Sequence, residues 1–281
     1  MESLLAGKTA VVYGPGAIGG AVARAFVREG AQVFVAGRGE AALKQLADEQ
    51  LADEQPADEQ PADGAGPGPG SLVTAQVDAL DREAVEAFVD SVVERTGRLD
   101  VSFCATSTHR PGGEQGAALG ELSFDDFALP IIDFTRAQFT TANAAAARMV
   151  PAGRGVIMMA TAVPSRIPYP YTAGFGPAWA AVEAFSRTLA AEVGPAGVRV
   201  LCLHSAGSPE ARASIESTLA TDLPDLPGRA EGWNRRSAAR SLLDRGPSLA
   251  QVGDMAAFLA SERADATTAA LVDLTGGMAA H

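Results

Sequence analysis

The sequence predicts an α/β fold, a doubly wound, Rossmann-like parallel sheet of about seven strands flanked by helices, forming one domain over residues 1–281. Three observations carry this. Short, near-continuous apolar runs alternate with helical patterns, as strands buried on both faces of a parallel sheet do. The first apolar run leads into Gly14-Pro15-Gly16-Ala17-Ile18-Gly19 and then into a helix. The 281 residues are 47% hydrophobic and 20% charged, a globular mixture with enough apolar material for a sizeable core.

Thr9–Tyr13 is the first apolar strand, followed by a helix over Ala21–Glu29 with Val22, Ala25 and Phe26 on one face. Gln32–Ala36 and Leu72–Val77 are the next strands, and Ala84–Arg95 the next helix. Asp100–Ala105, Gly155–Ala160 and Arg199–Leu203 read as further strands, Trp179–Val193 as a strong amphipathic helix, and Leu271–Leu274 as a last strand.

One stretch does not fit this alternation. From Leu46 to Gly70 the chain reads LADEQ-LADEQ-PADEQ-PADGAGPGPG. A five-residue period matches neither a heptad nor a solenoid repeat. Leu43, Leu46 and Gln50 have helical spacing, so the first copy continues a helix, which Pro56 and Pro61 then stop. The acidic, Pro/Gly-rich insert at 47–70 is expected to be disordered and solvated.

The net charge is −12, but Asp48, Glu49, Asp53, Glu54, Asp58, Glu59 and Asp63 all lie in this insert; without these seven acids the remainder is −5. No basic face suggests nucleic acid. No apolar run approaches the roughly 20 residues of a membrane span, and no secretory signal is evident, so a cytoplasmic location is expected. Cys104 and Cys202 build no disulfide framework, and no Cys/His cluster suggests a metal.

The glycine loop has its required context of strand, turn and helix. Gly14 permits the tight turn, Gly16 lets the backbone approach a pyrophosphate, and Gly19 allows close packing of the helix, whose free N–H groups face the anion. The second strand ends Ala36-Gly37-Arg38, with no acid to hold an adenosine ribose and an arginine that suits a 2′-phosphate. NADP(H) is therefore the expected cofactor, with binding that the altered loop weakens or abolishes.

The chain resembles the short-chain dehydrogenase/reductase family over nearly its whole length outside the insert. The stretches that carry this are VVYGPGAIGGAVARAFVREGA, VDALDREAVEAFVD, GRLDV, GVIMMATA, PAWAAVEAFSRTLAAEVGPAGVRV and FLASERADATTAALVDLTGG. The resemblance implies a seven-stranded sheet and assembly into dimers or tetramers through long helices. It implies cofactor contacts at Gly14, Gly16, Ile18, Gly19, Arg38, Asp78 (beside adenine), Ala79, Cys104 and Ala105. The family loop Thr-Gly-x-x-x-Gly-x-Gly is one residue shorter here, with Ala17 in a glycine place. The family's Asn-Asn-Ala-Gly falls on Cys104-Ala105-Thr106-Ser107.

Against the family's proton-relay set, the chain departs residue by residue. Tyr-x-x-x-Lys, adjacent on one helix face, falls on Phe175 and Trp179; the serine thirteen residues earlier falls on Ala162; and the asparagine place near Asp133–Thr135 holds no Asn. The only lysines, Lys8 and Lys44, are far upstream. The family's Pro-Gly after the sixth strand becomes Ser205-Ala206 or Ala206-Gly207.

Candidate substitutes are Tyr169 and Tyr171, in the loop before Phe175, and His204, at the end of the sixth strand, with His109 after the fourth. Phe175 and Trp179 give the active-site cleft apolar, aromatic surface, which either fills the space of a former active site or walls a pocket for an apolar ligand. Trp233-Asn234-Arg235-Arg236 lies in the segment 208–244, which covers substrate in the family. The reading that follows is a non-redox biosynthetic enzyme of cyclase, isomerase or dehydratase type acting on an apolar small molecule. The alternatives are an inactive subunit pairing with an active homologue, and an NADP-dependent oxidoreductase with a substitute proton donor. A homodimer or homotetramer is the expected assembly.

Overall fold

A computed structural model describes residues 3–53, 70–106, 117–211 and 239–279. Seven strands form one sheet: β1 (Thr9–Tyr13), β2 (Gln32–Gly37), β3 (Leu72–Gln76), β4 (Val101–Cys104), β5 (Gly155–Ala162), β6 (Val198–Ser205) and β7 (Ala270–Leu274). Their order is β3-β2-β1-β4-β5-β6-β7, parallel throughout. The connections reverse direction between β1 and β4, and the crevice outside the carboxyl ends of those two strands is where this architecture takes ligands.

The described helices are α1 (Ala17–Arg28), α2 (Glu40–Asp53), α3 (Arg82–Thr96), α4 (Phe124–Ala152), α5 (Phe175–Val193) and α6 (Leu249–Ala260). Side chains alternate along each strand, so each face has its own core. Val11, Ile157 and Val200 pack with Val89 of α3, Met149 of α4 and Val182 of α5. Val12, Val35, Met158 and Leu201 pack with Phe26 of α1 and Ala256 of α6. Both faces are covered, which is why the strands read as apolar runs.

Local chemistry sets the helix ends. The Asp81 side chain accepts from the Ala84 N–H and opens α3, Gly97 at φ 73° closes it, and Ser123 and Ser248 cap α4 and α6. The structure moves several expected boundaries. α1 begins at Ala17, inside the glycine motif, so that Gly19 lies in its first turn, and α5 begins at Phe175, which puts Phe175 and Trp179 one turn apart on one helix. α2 runs through the first LADEQ copy to Asp53, as its spacing predicts. Residues 54–69 of the insert lie outside the described residues. Among the described residues, no helix is long and apolar enough to cross a membrane.

Candidate functional site

At the switch point, the glycine loop borders a cavity of about 220 Å³ lined by Gly14, Pro15, Gly16, Ala36, Gly37, Arg38, Gly39, Val77, Asp78, Ala79, Leu80, Ala105, Thr106 and Ala137. Each glycine has a geometric reason. Gly14 turns at φ +99°, and a Cβ there would sit 2.8 Å from the Ala105 carbonyl oxygen. A Cβ on Gly19 would lie 1.8 Å from the Gly14 carbonyl oxygen, so loop and helix close on each other only without side chains. At Gly16 a Cβ would meet nothing within 4 Å, leaving its backbone open to an incoming group. α1 has no side-chain cap at Gly16 and no acid in its first turn. Its free N–H groups and positive dipole end are therefore uncompensated, as an anion site requires.

The rim explains a residue the sequence leaves unexplained. A Cβ on Gly37 would come 2.4 Å from Cδ and 2.9 Å from Cγ of Pro15. The end of β2 thus has no room for a side chain while Pro15 occupies the loop. The exposed Arg38 beside it lines the cavity, its carbonyl accepting from the Gln76 side chain at 3.0 Å. Asp78 and Ala79 line it too; one Asp78 carboxylate oxygen accepts from the Leu80 N–H at 3.0 Å.

Three expected contacts are not side-chain linings of this cavity. Ile18 packs against the α1 side of the core. Gly19 is buried under the loop. Cys104 points to the opposite core, with its sulfur 3.4 Å from the Thr106 hydroxyl, because it lies on the α4 side of the β4 pleat. Burial pushes the Cys104 thiol up, against the hydrogen bonds it makes. Gln138 of α4, buried and not foreseen, donates to the Cys104 carbonyl at 3.2 Å and ties α4 to the end of β4.

At the positions that the resemblance sets against the family's tyrosine and lysine, Phe175 is buried and its ring stands 5.6 Å from that of Trp179, centroid to centroid. Trp179 meets Phe134 of α4 edge-on at 6.2 Å. Phe134 lies within the Asp133–Thr135 stretch where the family's asparagine was expected. Three rings therefore pack on one another, and neither Phe175 nor Trp179 lines the glycine-loop cavity. Of the two readings of these positions, filled space is the one that Phe175 shows, because rings on α4 and α5 pack on each other. Ala162 ends β5 and presents only a methyl group; Thr161, on the other side of the pleat, is buried against His204.

His204 is not a rim residue. It is fully buried, its Nδ1 lying 3.2 Å from the Thr161 hydroxyl and 3.3 Å from a Glu183 carboxylate oxygen, while Nε2 finds no partner. Glu183, buried on α5, also accepts from the Ser165 hydroxyl and pairs with Arg166 at 3.0 Å. Burial pushes the Glu183 carboxyl up, but His204, Ser165 and Arg166 outweigh it, and the group titrates below its ordinary range. A carboxylate next to Val182 on the buried face of α5 was the sequence signal for this cluster, which holds α5 to the ends of β5 and β6. None of Thr161, Ser165, Glu183 and His204 lines the glycine-loop cavity.

Tyr169 is covered by Arg240, whose guanidinium stands 5.5 Å over the ring. Tyr171 is 57% exposed and, like Ala173, has a left-handed backbone (φ 61° and 48°), uncommon for such residues. Neither tyrosine lines the cavity. Tyr13 is buried, its hydroxyl without a partner, and burial together with neighbouring Cys104 raises its pKa far above the ordinary phenol value. Gly207 at φ +77° donates to the Ser205 hydroxyl at 3.1 Å, which favours Ala206-Gly207 as the counterpart of the family's Pro-Gly turn. His109 and Trp233-Asn234-Arg235-Arg236 lie outside the described residues.

Comparison with known proteins agrees with this layout. A family model described as Enoyl-(Acyl carrier protein) reductase matches residues 14–279. L-fucose dehydrogenase of Oryctolagus cuniculus is 30% identical over 278 residues, covering 97% of this chain and 85% of that protein. The crystal structure of an NAD+-bound xylitol dehydrogenase superposes with a TM-score of 0.75 at 20% identity, over 95% of this chain and 97% of the other. A protein from Burkholderia xenovorans described as a short-chain dehydrogenase/reductase superposes with a TM-score of 0.77 at 23% identity, over 99% and 98%. Sheet order, glycine loop and sequence similarity together make this chain a member of the short-chain dehydrogenase/reductase family.

Proposed function

We propose that this chain is a nucleotide-binding member of the family that does not run hydride transfer through a tyrosine–lysine relay. The observation that carries this is the mutual packing of Phe134, Phe175 and Trp179 at the relay positions. A phenylalanine has no proton to give and an indole no ammonium to hold a ribose hydroxyl.

The residues at the other end fit a dinucleotide of the NADP(H) class. The α1 N-terminus offers N–H groups to a pyrophosphate, Arg38 offers a guanidinium to a 2′-phosphate, and Asp78 offers a carboxylate oxygen to an adenine amine. A nicotinamide ring, when bound, gives or takes a hydride. This chain's own residues supply no proton at positions 162, 175 and 179 to accompany it.

Among non-redox roles, burial of Phe175 favours a nucleotide-binding partner subunit over a cyclase, isomerase or dehydratase with an aromatic substrate cleft. The assembly surface that supports this runs along α4 and α5. Ile132 and Phe139 are exposed seven residues apart on α4, with Phe185 of α5 5.7 Å from Phe139, an apolar stripe suited to a second copy of this chain or a homologue. The test is a thermal-shift titration with NADPH alongside an assay of NADPH oxidation with carbonyl substrates. The expected result is a Tm rise without turnover. Turnover, or no shift at saturation, refutes the reading.

One observation favours a second reading, a reductase with a substitute donor. Tyr171 is an exposed phenol held in a left-handed backbone conformation beside the start of α5. NADPH oxidation that Tyr171→Phe abolishes would establish it.

A further inference from the structure

We infer that nucleotide occupancy and self-association of this chain are linked: a nucleotide in the glycine-loop cavity tightens the pairing of two copies across the α4–α5 face, and Gln138 carries the coupling. This rests on the reading above that the cavity takes a nucleotide of the NADP(H) class and that a second copy covers α4 and α5.

Three successive residues of α4 face three different surroundings. Ala137 lines the cavity. Gln138, fully buried, donates from its amide to the Cys104 carbonyl at 3.2 Å. Phe139 is 55% exposed, with the Phe185 ring of α5 5.7 Å away. Steps of about 100° along a helix aim neighbouring side chains in different directions, so one turn joins cavity, sheet end and outer face. The sheet side of this junction also reaches the cavity. Ala105 and Thr106, which follow Cys104, line it, and the Thr106 hydroxyl lies 3.4 Å from the Cys104 sulfur. Thr141, one turn further along α4, donates to the Ala137 carbonyl at 2.8 Å and meets the same sulfur. A group filling the cavity therefore presses on both ends of the tie between Cys104 and Gln138.

The tie is incomplete. Gln138 Oε1 finds no hydrogen-bond partner among the described residues, although it is buried. An unsatisfied buried acceptor leaves the turn short of its best bonding, and so leaves a second arrangement for a ligand to select. A nucleotide that holds Ala105, Thr106 and Ala137 fixes the turn, and two copies then meet with less left to order.

The outer face suits a second copy. Ile132, Arg136, Phe139, Asn143, Ala147 and Val150 form one exposed stripe along α4, and α5 beside it exposes Glu192. α4 and α5 run parallel, because each joins adjacent parallel strands. With Phe139 and Phe185 level, Arg136 lies three residues to one side and Glu192 seven to the other. Their midpoint is residue 141 of α4, which is the middle of the stripe. A twofold axis there brings each copy's Arg136 level with the other's Glu192 and sets the two stripes together.

The experiment is sedimentation velocity of the full chain over a range of concentrations, with and without saturating NADPH, together with NADPH titration at chain concentrations below and above the dimer dissociation constant. NADPH should lower that constant about tenfold. Two bound nucleotides share the gain, so each should bind about threefold tighter to the dimer than to the monomer. Gln138→Leu, shown to be folded by circular dichroism, should still bind NADPH and still dimerise, with a dimer constant that NADPH no longer changes. Phe139→Asp should bind NADPH as the dilute wild-type chain does, whatever its concentration, and NADPH should slow its amide exchange around residue 138. A dimer constant unmoved by NADPH, a linkage that survives Gln138→Leu, or a Phe139→Asp variant that binds as the concentrated wild type does overturns the inference and leaves the nucleotide site standing. So does a chain that stays monomeric with NADPH bound. If NADPH does not bind at all, the proposed function and the linkage fall together.

Discussion

Gly37 and Pro15 are locked together, and the lock has a measurable size. In Gly37→Ala the new methyl would start 2.4 Å from Pro15 Cδ and 2.9 Å from Cγ. Carbon atoms rest at about 3.5–4.0 Å, so either the end of β2 or the glycine loop must move by about 1 Å. Neither is a flexible side-chain tip; one is sheet backbone and the other a ring in a turn. Overpacking of this kind costs about 1–3 kcal/mol. At about 2–4 °C per kcal/mol for a chain of this size class, Tm falls by several degrees. Pro15→Ala removes the two ring carbons concerned, so the double variant should regain most of the loss. A double-mutant cycle by urea denaturation would then show a coupling of about 1–2 kcal/mol. Gly37→Asp, which would place a carboxylate where a ribose could bind it, should fail to confer NAD binding unless Pro15 is replaced too. A Gly37→Ala variant with wild-type stability, or additive single and double variants, would refute the steric argument.

Other outcomes follow from the same contacts. Glu183 titrates below its ordinary value of 4.5, so on acidification the unfolded chain takes up the proton first; stability is full above that value and is lost as pH falls below it. Glu183→Ala, which removes the carboxylate facing His204 and Arg166, should cost about 3–5 kcal/mol in urea titrations, and Glu183→Gln should flatten the acid limb of the stability–pH profile. Burial pushes the Cys202 thiol up to about 11 and also raises that of Cys104, so neither should react with iodoacetamide at pH 8 until denaturant is added, as mass spectrometry would show. Phe139→Asp on the exposed α4 stripe should shift a dimer to monomer by light scattering with little change in nucleotide affinity. Gly174→Ala would put a Cβ 1.9 Å from the Phe127 carbonyl oxygen, and it should lower Tm by loosening the α4–α5 crossing.

The sheet was legible because its strands are buried on both sides and so read as uninterrupted apolar runs, Thr9–Tyr13 and Arg199–Leu203 among them. α4 was not, since Pro130 and Pro151 lie inside it and its buried face is largely alanine and threonine, which carry little periodic contrast. The glycine loop announced itself through spacing. Its tie to Gly37 did not, because a steric exclusion between residues 22 positions apart leaves no pattern in either. The residue types at Ala162, Phe175 and Trp179 were legible in the sequence, but whether those rings lined a cleft or filled it depended on Phe134, whose approach from α4 only the tertiary structure reveals. His204 looked like a rim residue because it stands near a strand end; β6 runs one residue further, and Glu183 draws the ring inward.

The pentapeptide repeat leaves α2 and returns at β3, an outermost strand, through the turn that enters that strand rather than the one that leaves it. In a parallel sheet this is the far pole of the molecule from the glycine loop. A change in the number of repeats therefore enters the chain at that pole, and variants with one copy fewer or more should keep the same nucleotide affinity. The same position is the natural one at which to splice an epitope or fluorophore into the chain.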